Sequence, residues 1–527
     1  MSKPIGIDLG TTYSAIACWK DTGLVLGPDC YYFPQENCYY IASKIYIPDL
    51  SKRNEAMYGR GAINKYFSDP DKFYSAFKRG MDNNTSYDRS HGSITAIELS
   101  SLLLKHMMKD VVNRVEGVDF IPEGAVVSVP YYFLEPPKIN TCGALSASLQ
   151  EVYSDNLEYE ESINLKTIQE PIAAGLDYAF SYCDVLTKQN ILIFDLGGGT
   201  FDVTIYELNN SIATKKLVFT VLATDGDDRL GGEDFDKAIK DYVLDKNGIS
   251  QEEANNTQNK RNLATLNCYI TDTKCKLSFA TEDTIVIDRF IDDFKITDKD
   301  IAKILKGNTG YGKTDYISKI EDIVDRCLRK AELQSSMIDR VVLVGGSSNI
   351  PCIRKVLESK FGKDKMYQSP KPSETVARGA CIWAAYQLDL KNKENPSYNR
   401  HLHYWDEIIV KVKTAHNLGV VMANNVVDNL ITSNKFTPIS STRQYIPSSL
   451  SADGSKAELQ PLTIKQGHAI IGQIPVPTIY THGRSKSQIM ISITLVAEPT
   501  SVNVIINVPQ GNEDGTDLHT EGQIQIL

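Results

Sequence analysis

Long apolar runs, close cysteine pairs and excess positive charge are what this 527-residue chain lacks. No run approaches the ~18 apolar residues of a membrane span, so no spanning helix is expected. The ten cysteines (Cys18, Cys30, Cys38, Cys142, Cys183, Cys268, Cys275, Cys327, Cys352 and Cys381) are scattered, and none forms Cys-x-x-Cys. That argues against a zinc ribbon or a disulfide framework and reads as reduced thiols. Histidine is scarce: of eight, only His401 and His403 lie close together, with His416 downstream. No cysteine or further histidine completes a familiar zinc spacing, so the pair reads as part of a solvated loop. Lysine and arginine number 56 against 66 acids, a formal charge of −10. A general nucleic-acid binder would be basic, so that class is set aside. A small phosphate ligand is not, because it needs only local donors. The opening Met-Ser-Lys-Pro-Ile-Gly-Ile-Asp8 reaches an acid before any apolar signal core forms. A cytoplasmic location without membrane partners is the expectation.

What is present is ordinary globular composition, 42% hydrophobic and 23% charged. At about 150 residues per domain the length suggests roughly three or four domain-sized units. Residues 1–388 alternate short β-rich runs with helical stretches, a mixed α/β texture. Strands are expected at Pro4–Leu9, Ala125–Pro130, Ile191–Asp195, Val203–Leu208 and Arg340–Val344. Helices are expected at Ile97–Val115, Gln169–Tyr182, Glu233–Val243 and Lys319–Ala331, where apolar residues recur near 3.6. Residues 389–406 are polar and read as the start of a surface linker, 389–413. From 414 to 527 short alternating runs, such as Leu462–Ile464, Gln488–Leu495 and Val502–Val508, read as an all-β domain whose last strand is 523–527.

An internal echo dominates the first part. Ile5-Gly-Ile-Asp8-Leu-Gly10-Thr11-Thr12 recurs as Leu192-Ile-Phe-Asp195-Leu-Gly197-Gly198-Gly199-Thr200, with the aspartates 195 − 8 = 187 residues apart. A spacing that long implies duplicated half-domains rather than a solenoid. Each copy is an apolar strand ending in aspartate, a Gly/Thr turn, then a second strand. Backbone N–H groups in such a turn converge on an anion, and the hydroxyls add donors. The carboxylate suits a hard divalent cation. Two facing copies would clamp a polyphosphate. Neither carries the Gly-x4-Gly-Lys-Ser/Thr loop or a dinucleotide fingerprint. A third glycine turn, Leu343-Val-Gly345-Gly346-Ser347-Ser348-Asn349-Ile350-Pro351, follows another apolar strand and precedes a helix over Cys352–Phe361. It suits the sugar or base end of a nucleotide.

With Glu170-Pro171-Ile-Ala-Ala, Gly226-Asp-Asp-Arg-Leu-Gly-Gly-Glu-Asp-Phe-Asp236 and Asn417-Leu418-Gly419, these motifs resemble the 70-kilodalton heat-shock (DnaK-like) chaperones. The resemblance covers both parts of the chain in order. It implies an α/β, actin-like, duplicated two-lobe ATPase domain (1–388), a linker (389–413) and a β-sandwich peptide-binding domain (414–527). It further implies ATP binding and hydrolysis regulating the binding of unfolded client polypeptides, in protein folding and stress response, with a J-domain co-chaperone and a nucleotide-exchange factor as further partners. By that resemblance Asp8, Glu170 and Asp195 would hold hydrated Mg²⁺. Gly10, Thr11, Thr12, Tyr13, Gly197, Gly198, Gly199 and Thr200 would cradle the ATP or ADP phosphates. Gly231, Gly232, Glu233, Lys274, Ser278, Gly345, Gly346, Ser347 and Asn349 would complete the nucleotide site. Asp202 would help bind K⁺ and orient the attacking water. Lys78, in Phe77-Lys78-Arg79-Gly80, matches the catalytic lysine, which neutralises charge on the transferring phosphoryl group.

The chain departs from that pattern in several places. Two adenine-stacking arginines align with Cys275 and Asn349, and a helix glutamate aligns with Thr271. A signal-relaying arginine is Lys138, although its partner Pro130 is present. The linker Glu407-Ile408-Ile409-Val410-Lys411-Val412-Lys413 carries lysines expected to oppose its docking. The helical lid is absent from this sequence. An ATP-driven chaperone is therefore set beside a degenerate alternative, a nucleotide-holding co-chaperone or holdase with little turnover. A sugar kinase of the same fold would explain the phosphate turns, but not the β-rich part or the Gly226–Asp236 match.

Overall fold

The computed structural model describes all residues except 1–3, 22–25, 82–83, 90–91, 115–121, 131–134, 153–163, 183–187, 257–258, 308–313, 370, 413–416, 423–425, 433–436, 459, 467–468, 498–500 and 526–527. Cys183, Lys413, His416 and the Lys138 side chain, each weighed above, lie outside the described residues. The chain divides into two units: Met1–Leu217 with Ala223–Ile408, and Val218–Leu222 with Ile409–Leu527.

The first unit contains the same sheet plan twice, and this is the structural form of the sequence echo. In one lobe Pro4–Asp8, Tyr13–Asp21 and Leu26–Cys30 make an antiparallel meander. Gly124–Val129 lies parallel beside the first of these strands, and Asn164–Gln169 lies parallel beside that. In the other lobe Lys188–Leu196, Phe201–Ser211 and Lys216–Asp227 are consecutive neighbours. Arg340–Val344 and then Met366–Gln368 are the parallel additions. The motif strands are central and buried on both faces, which explains their unbroken apolar runs, with Ile5, Ile7, Ile191, Ile193 and Phe194 all at 0% exposure.

Expected and observed elements agree closely where periodicity is strong. The helices are Ala96–Arg114, Glu170–Ser181, Gly232–Lys246 and Tyr316–Ala331. Periodicity did not reveal Thr375–Lys391, whose buried face is built from Ala377, Gly379, Ala380, Cys381, Ala384 and Ala385. These small residues let it pack closely on Glu170–Ser181 and on the first strand, so the residues flanking Glu170 are held by two helices.

The polar stretch 389–406 is exposed over most of its length, but Asp389, His401, Leu402 and Trp405 are buried. Asp389 sits near the end of the long helix, and its carboxylate accepts from the backbone N–H of His401 at 3.0 Å and of Leu402 at 2.9 Å. The Tyr398 hydroxyl donates to the same group at 3.1 Å, and His401 Nδ1 lies 3.0 Å from it. Leu402 and Trp405 are fully buried, and the Trp405 indole donates to Asn210 Oδ1 at 2.9 Å. The loop reading of His401 is thereby corrected: composition hid a carboxylate that satisfies the turn's backbone donors. Glu407 pairs with Lys216, and Ile408 is buried.

The second unit is a β-sandwich. One sheet runs in the order Val427–Ile431, Leu418–Val421, Leu462–Gln466, Ala469–Ile474. The other runs Ile439–Tyr445, Ile491–Ala497, Ser501–Val508, Leu518–Gln525. Alternate residues of Ile491–Ala497 point inward, and Ile464, Leu495, Val502, Val504 and Val508 form the core.

Candidate functional site

The two Gly/Thr turns face each other across the first unit. Each joins two antiparallel strands, and each strand-end carboxylate follows from a hairpin register: Asp8 opposite Ala15, and Asp195 opposite Asp202. The turns approach so closely that a Cβ on Gly198 would sit 1.7 Å from the Thr12 hydroxyl oxygen. That oxygen is buried and has no hydrogen-bond partner. A buried hydroxyl left unmatched is costly. Its position between two glycine-rich turns fits an anion that would satisfy it. Thr11, buried, packs against Gly199. Tyr13, 42% exposed, meets Tyr40 edge to face with ring centroids 4.9 Å apart.

The second turn is stitched to the start of Gly232–Lys246. Gly232 N–H donates to the Gly197 carbonyl at 3.0 Å and Glu233 N–H to the Gly198 carbonyl at 2.7 Å. A side chain on Gly231 would collide with the Gly198 carbonyl, 2.6 Å from its Cβ, so glycine is required for this contact. The Lys274 ammonium is buried, donates to the Gly232 carbonyl at 2.7 Å and pairs with Asp236 at 2.7 Å. Lys274 lies on the helix Lys260–Lys276; Ser278 follows that helix and its hydroxyl lies 3.5 Å from the Lys274 carbonyl. In the third turn Gly345 has φ +77°, Gly346 follows it, and the Ser347 hydroxyl reaches back to the Gly197 carbonyl at 2.9 Å. All three turns are thus tied into one assembly. Asn349, by contrast, is held locally, donating to the Gly346 carbonyl at 3.2 Å and accepting from Gln368.

Opposite this assembly a one-turn helix, Phe77–Gly80, enters through a left-handed Ala76 and buries Lys78. The Lys78 ammonium donates to Glu170 Oε1 at 2.5 Å. Burial works against its charge, but Glu170 first, then Asp8 and Asp195, hold its proton more tightly than usual. The carboxylates respond in the opposite sense. Burial, reinforced by Glu170, raises Asp8 to about 6 despite Lys78 and a 3.1 Å hydrogen bond from Ser128. Burial and neighbouring acids push Asp195 and Asp202 well above the carboxylate range. Four acids therefore surround one ammonium, an excess of negative charge that a cation would relieve. They make no three-residue metal-ligating cluster among the described residues. A hydrated ion touching few carboxylates directly is the mode that suits them, as Mg²⁺ commonly binds.

Sequence reading missed Arg79, which bridges the lobes. Its guanidinium donates to the Gly199 carbonyl at 2.5 Å and to Asp234 at 3.0 Å, and stands 3.8 Å from Glu233. Lys44 reaches Glu233 at 3.9 Å. Nothing in the local sequence around Arg79 announces this role, because its partners are more than a hundred residues away. At the mouth of the site Cys275 is exposed. Burial and nearby acids raise its thiol although Lys274 opposes them.

The family model described as Hsp70 protein matches residues 68–495, well over half of the chain. The chain belongs to the Hsp70 family and has its architecture, an actin-like two-lobe ATPase domain with a β-sandwich. The match begins after the first Gly/Thr turn. The reading of that turn therefore rests on its internal copy at 195–200.

Proposed function

We propose that this member of the Hsp70 family binds Mg-ATP between the facing turns and hydrolyses it to regulate the binding of extended client segments. The observation that carries the nucleotide site is the unsatisfied Thr12 hydroxyl pressed against Gly198. Backbone N–H groups and hydroxyls of residues 11–13 and 198–200 hold the phosphates, while the Gly10 and Gly197 N–H groups shape the turns by donating to the Ser14 hydroxyl at 3.2 Å and the Thr200 carbonyl at 3.0 Å. Asp8, Glu170 and Asp195 orient the waters of the Mg²⁺ ion, which supplies charge neutralisation at the phosphates when bound. Lys78 keeps a full positive charge in a buried site, where an ammonium acts strongly on charge developing in the transition state. Asp202, with its raised proton affinity, is suited to orient the attacking water or take its proton. Asp202 also lines the place where K⁺ would bind. J-domain and nucleotide-exchange partners, and a cytoplasmic setting, belong to the same proposal.

The holdase alternative is favoured by one feature, the base end. Cys275 and the tethered Asn349 supply no stacking cation. Steady-state phosphate release by the full chain, with and without an extended apolar peptide, separates the readings. Turnover abolished by Lys78→Ala supports the ATPase. Binding of Mg-ATP without turnover supports the holdase, and no nucleotide binding at all refutes both.

A further inference from the structure

A second cleft in the first unit has no role in the nucleotide site. It has a volume of about 650 Å³ and lies between the helices Asp298–Leu305, Tyr316–Ala331 and Pro351–Phe361. Its walls carry Lys299, Lys306, Lys355 and Lys360, and the acids Asp298 and Glu321. Lys360 is committed to Asp325 at 2.6 Å. Lys299, Lys306 and Lys355 form no ion pair among the described residues, although two acids share the cleft with them.

Both signs of charge line the cleft. Lys306 and Asp298 lie at opposite ends of one helix, eight residues or roughly 12 Å apart at 1.5 Å per residue. Lys306 and Lys355 line the cleft together with Cys352, and both act against the burial that raises this thiol. Cys352 lies in the first turn of Pro351–Phe361, which lacks a side-chain cap. In that turn Pro351 has no N–H, and Ile353 and Arg354 donate to the Ile350 carbonyl at 3.0 Å, so the Cys352 N–H is what the helix start adds to the two lysines. At the other end Asp298 stands beside Lys299, offering acceptors to hydroxyl groups.

We propose that this cleft binds a phosphate monoester with a hydroxyl-bearing body, the sugar-phosphate class. The phosphate lies between Lys306, Lys355 and the start of Pro351–Phe361, and the hydroxyls reach toward Asp298. The volume admits such a molecule, and free phosphate fills only the basic end.

Cys352 is a built-in reporter, being partly exposed in the cleft wall. The test is peptide-resolved mass spectrometry of alkylation rates on the full chain, with ribose 5-phosphate as probe. Inorganic phosphate, ribose and sodium chloride at matched ionic strength serve as comparisons. Cys275, at the mouth of the nucleotide site, reports separately on Mg-ATP, so failure of that site does not confuse the result. Ribose 5-phosphate should slow Cys352 labelling several-fold more than inorganic phosphate, with ribose and sodium chloride inactive. Each exposed lysine removed should weaken the effect by roughly two- to fivefold, and Lys306→Ala with Lys355→Ala should abolish it. Asp298→Asn should reduce ribose 5-phosphate to the level of inorganic phosphate. A melting curve unchanged in the double variant checks folding, and the charge-preserving pair Lys306→Arg and Lys355→Arg should retain protection. Protection matched by sodium chloride, or unchanged in the double alanine variant of unaltered melting temperature, overturns the proposal. Protection by inorganic phosphate equal to that by ribose 5-phosphate overturns the sugar-phosphate assignment.

Discussion

Replacing Lys78 with alanine tests the centre of the site, and its consequences can be worked from the geometry. The ammonium and Glu170 are both under 10% exposed, so solvent screens them little. Removing one partner of a buried pair costs about 3–5 kcal/mol, because the other charge is left uncompensated. Here Asp8, Asp195 and Asp202 worsen that imbalance. Relief comes by protonation. Asp8, at about 6 with the lysine present, should rise further without it. The variant should therefore melt at least several degrees lower than wild type at pH 8, and the gap should narrow as pH falls through 6. That sign follows because protonation removes the repulsion the lysine no longer offsets. Millimolar Mg²⁺ should also narrow it, since a ligand binding only the folded state stabilises by mass action. For activity, losing one preorganised charge-stabilising group costs roughly 10²–10³ in the chemical step, while nucleotide binding changes far less. Scanning calorimetry at pH 6 and 8 and single-turnover hydrolysis measure the two effects. Near-normal single-turnover rates in the variant would falsify the catalytic assignment. A melting deficit independent of pH would show that the acid cluster is not charged as described.

Three further outcomes are expected. Thr12→Val should leave the ligand-free protein as stable or slightly more so, yet weaken Mg-ATP binding by about 0.5–1.5 kcal/mol, the value of one hydrogen bond; unchanged affinity in titration calorimetry would remove the phosphate contact. Gly231→Ala should destabilise by about 1–3 kcal/mol, as overpacking against a backbone carbonyl does, and denaturant unfolding showing no change would mean the turn relaxes freely. For Asp389, burial raises its pKa but is outweighed by hydrogen bonds from the His401 side chain and the His401 and Leu402 backbone, leaving it below the ordinary value. A depressed carboxylate stabilises above its unfolded value of about 3.9 and loses that contribution as pH falls through its folded value. Protection factors at residues 398–405, taken against the intrinsic exchange rate at each pH, should thus fall below about pH 4, and should already be low at pH 7 in Asp389→Ala.

Much of the chain's design was legible from order along the sequence. The apolar strands before Asp8 and Asp195 can be read without coordinates because central strands must be apolar on both faces. The helix Tyr316–Ala331 is equally plain, because one face of it is core and the other is water. The duplication of lobes and the all-β character of residues 414–527 follow from the same local patterns, whereas the β-sandwich was implied by the family resemblance. What only the tertiary structure decided depends on groups distant in sequence. The Lys78–Glu170 pair spans 92 residues, and Arg79 reaches Gly199 across 120. No local periodicity encodes either contact. The helix Thr375–Lys391 escaped notice because it is buried nearly all round and has no polar face to set a period. Asp389 and the segment His401–Leu402 misled for the opposite reason. Their polar groups satisfy one another around Asp389, so composition suggested solvent where hydrogen bonding permits burial.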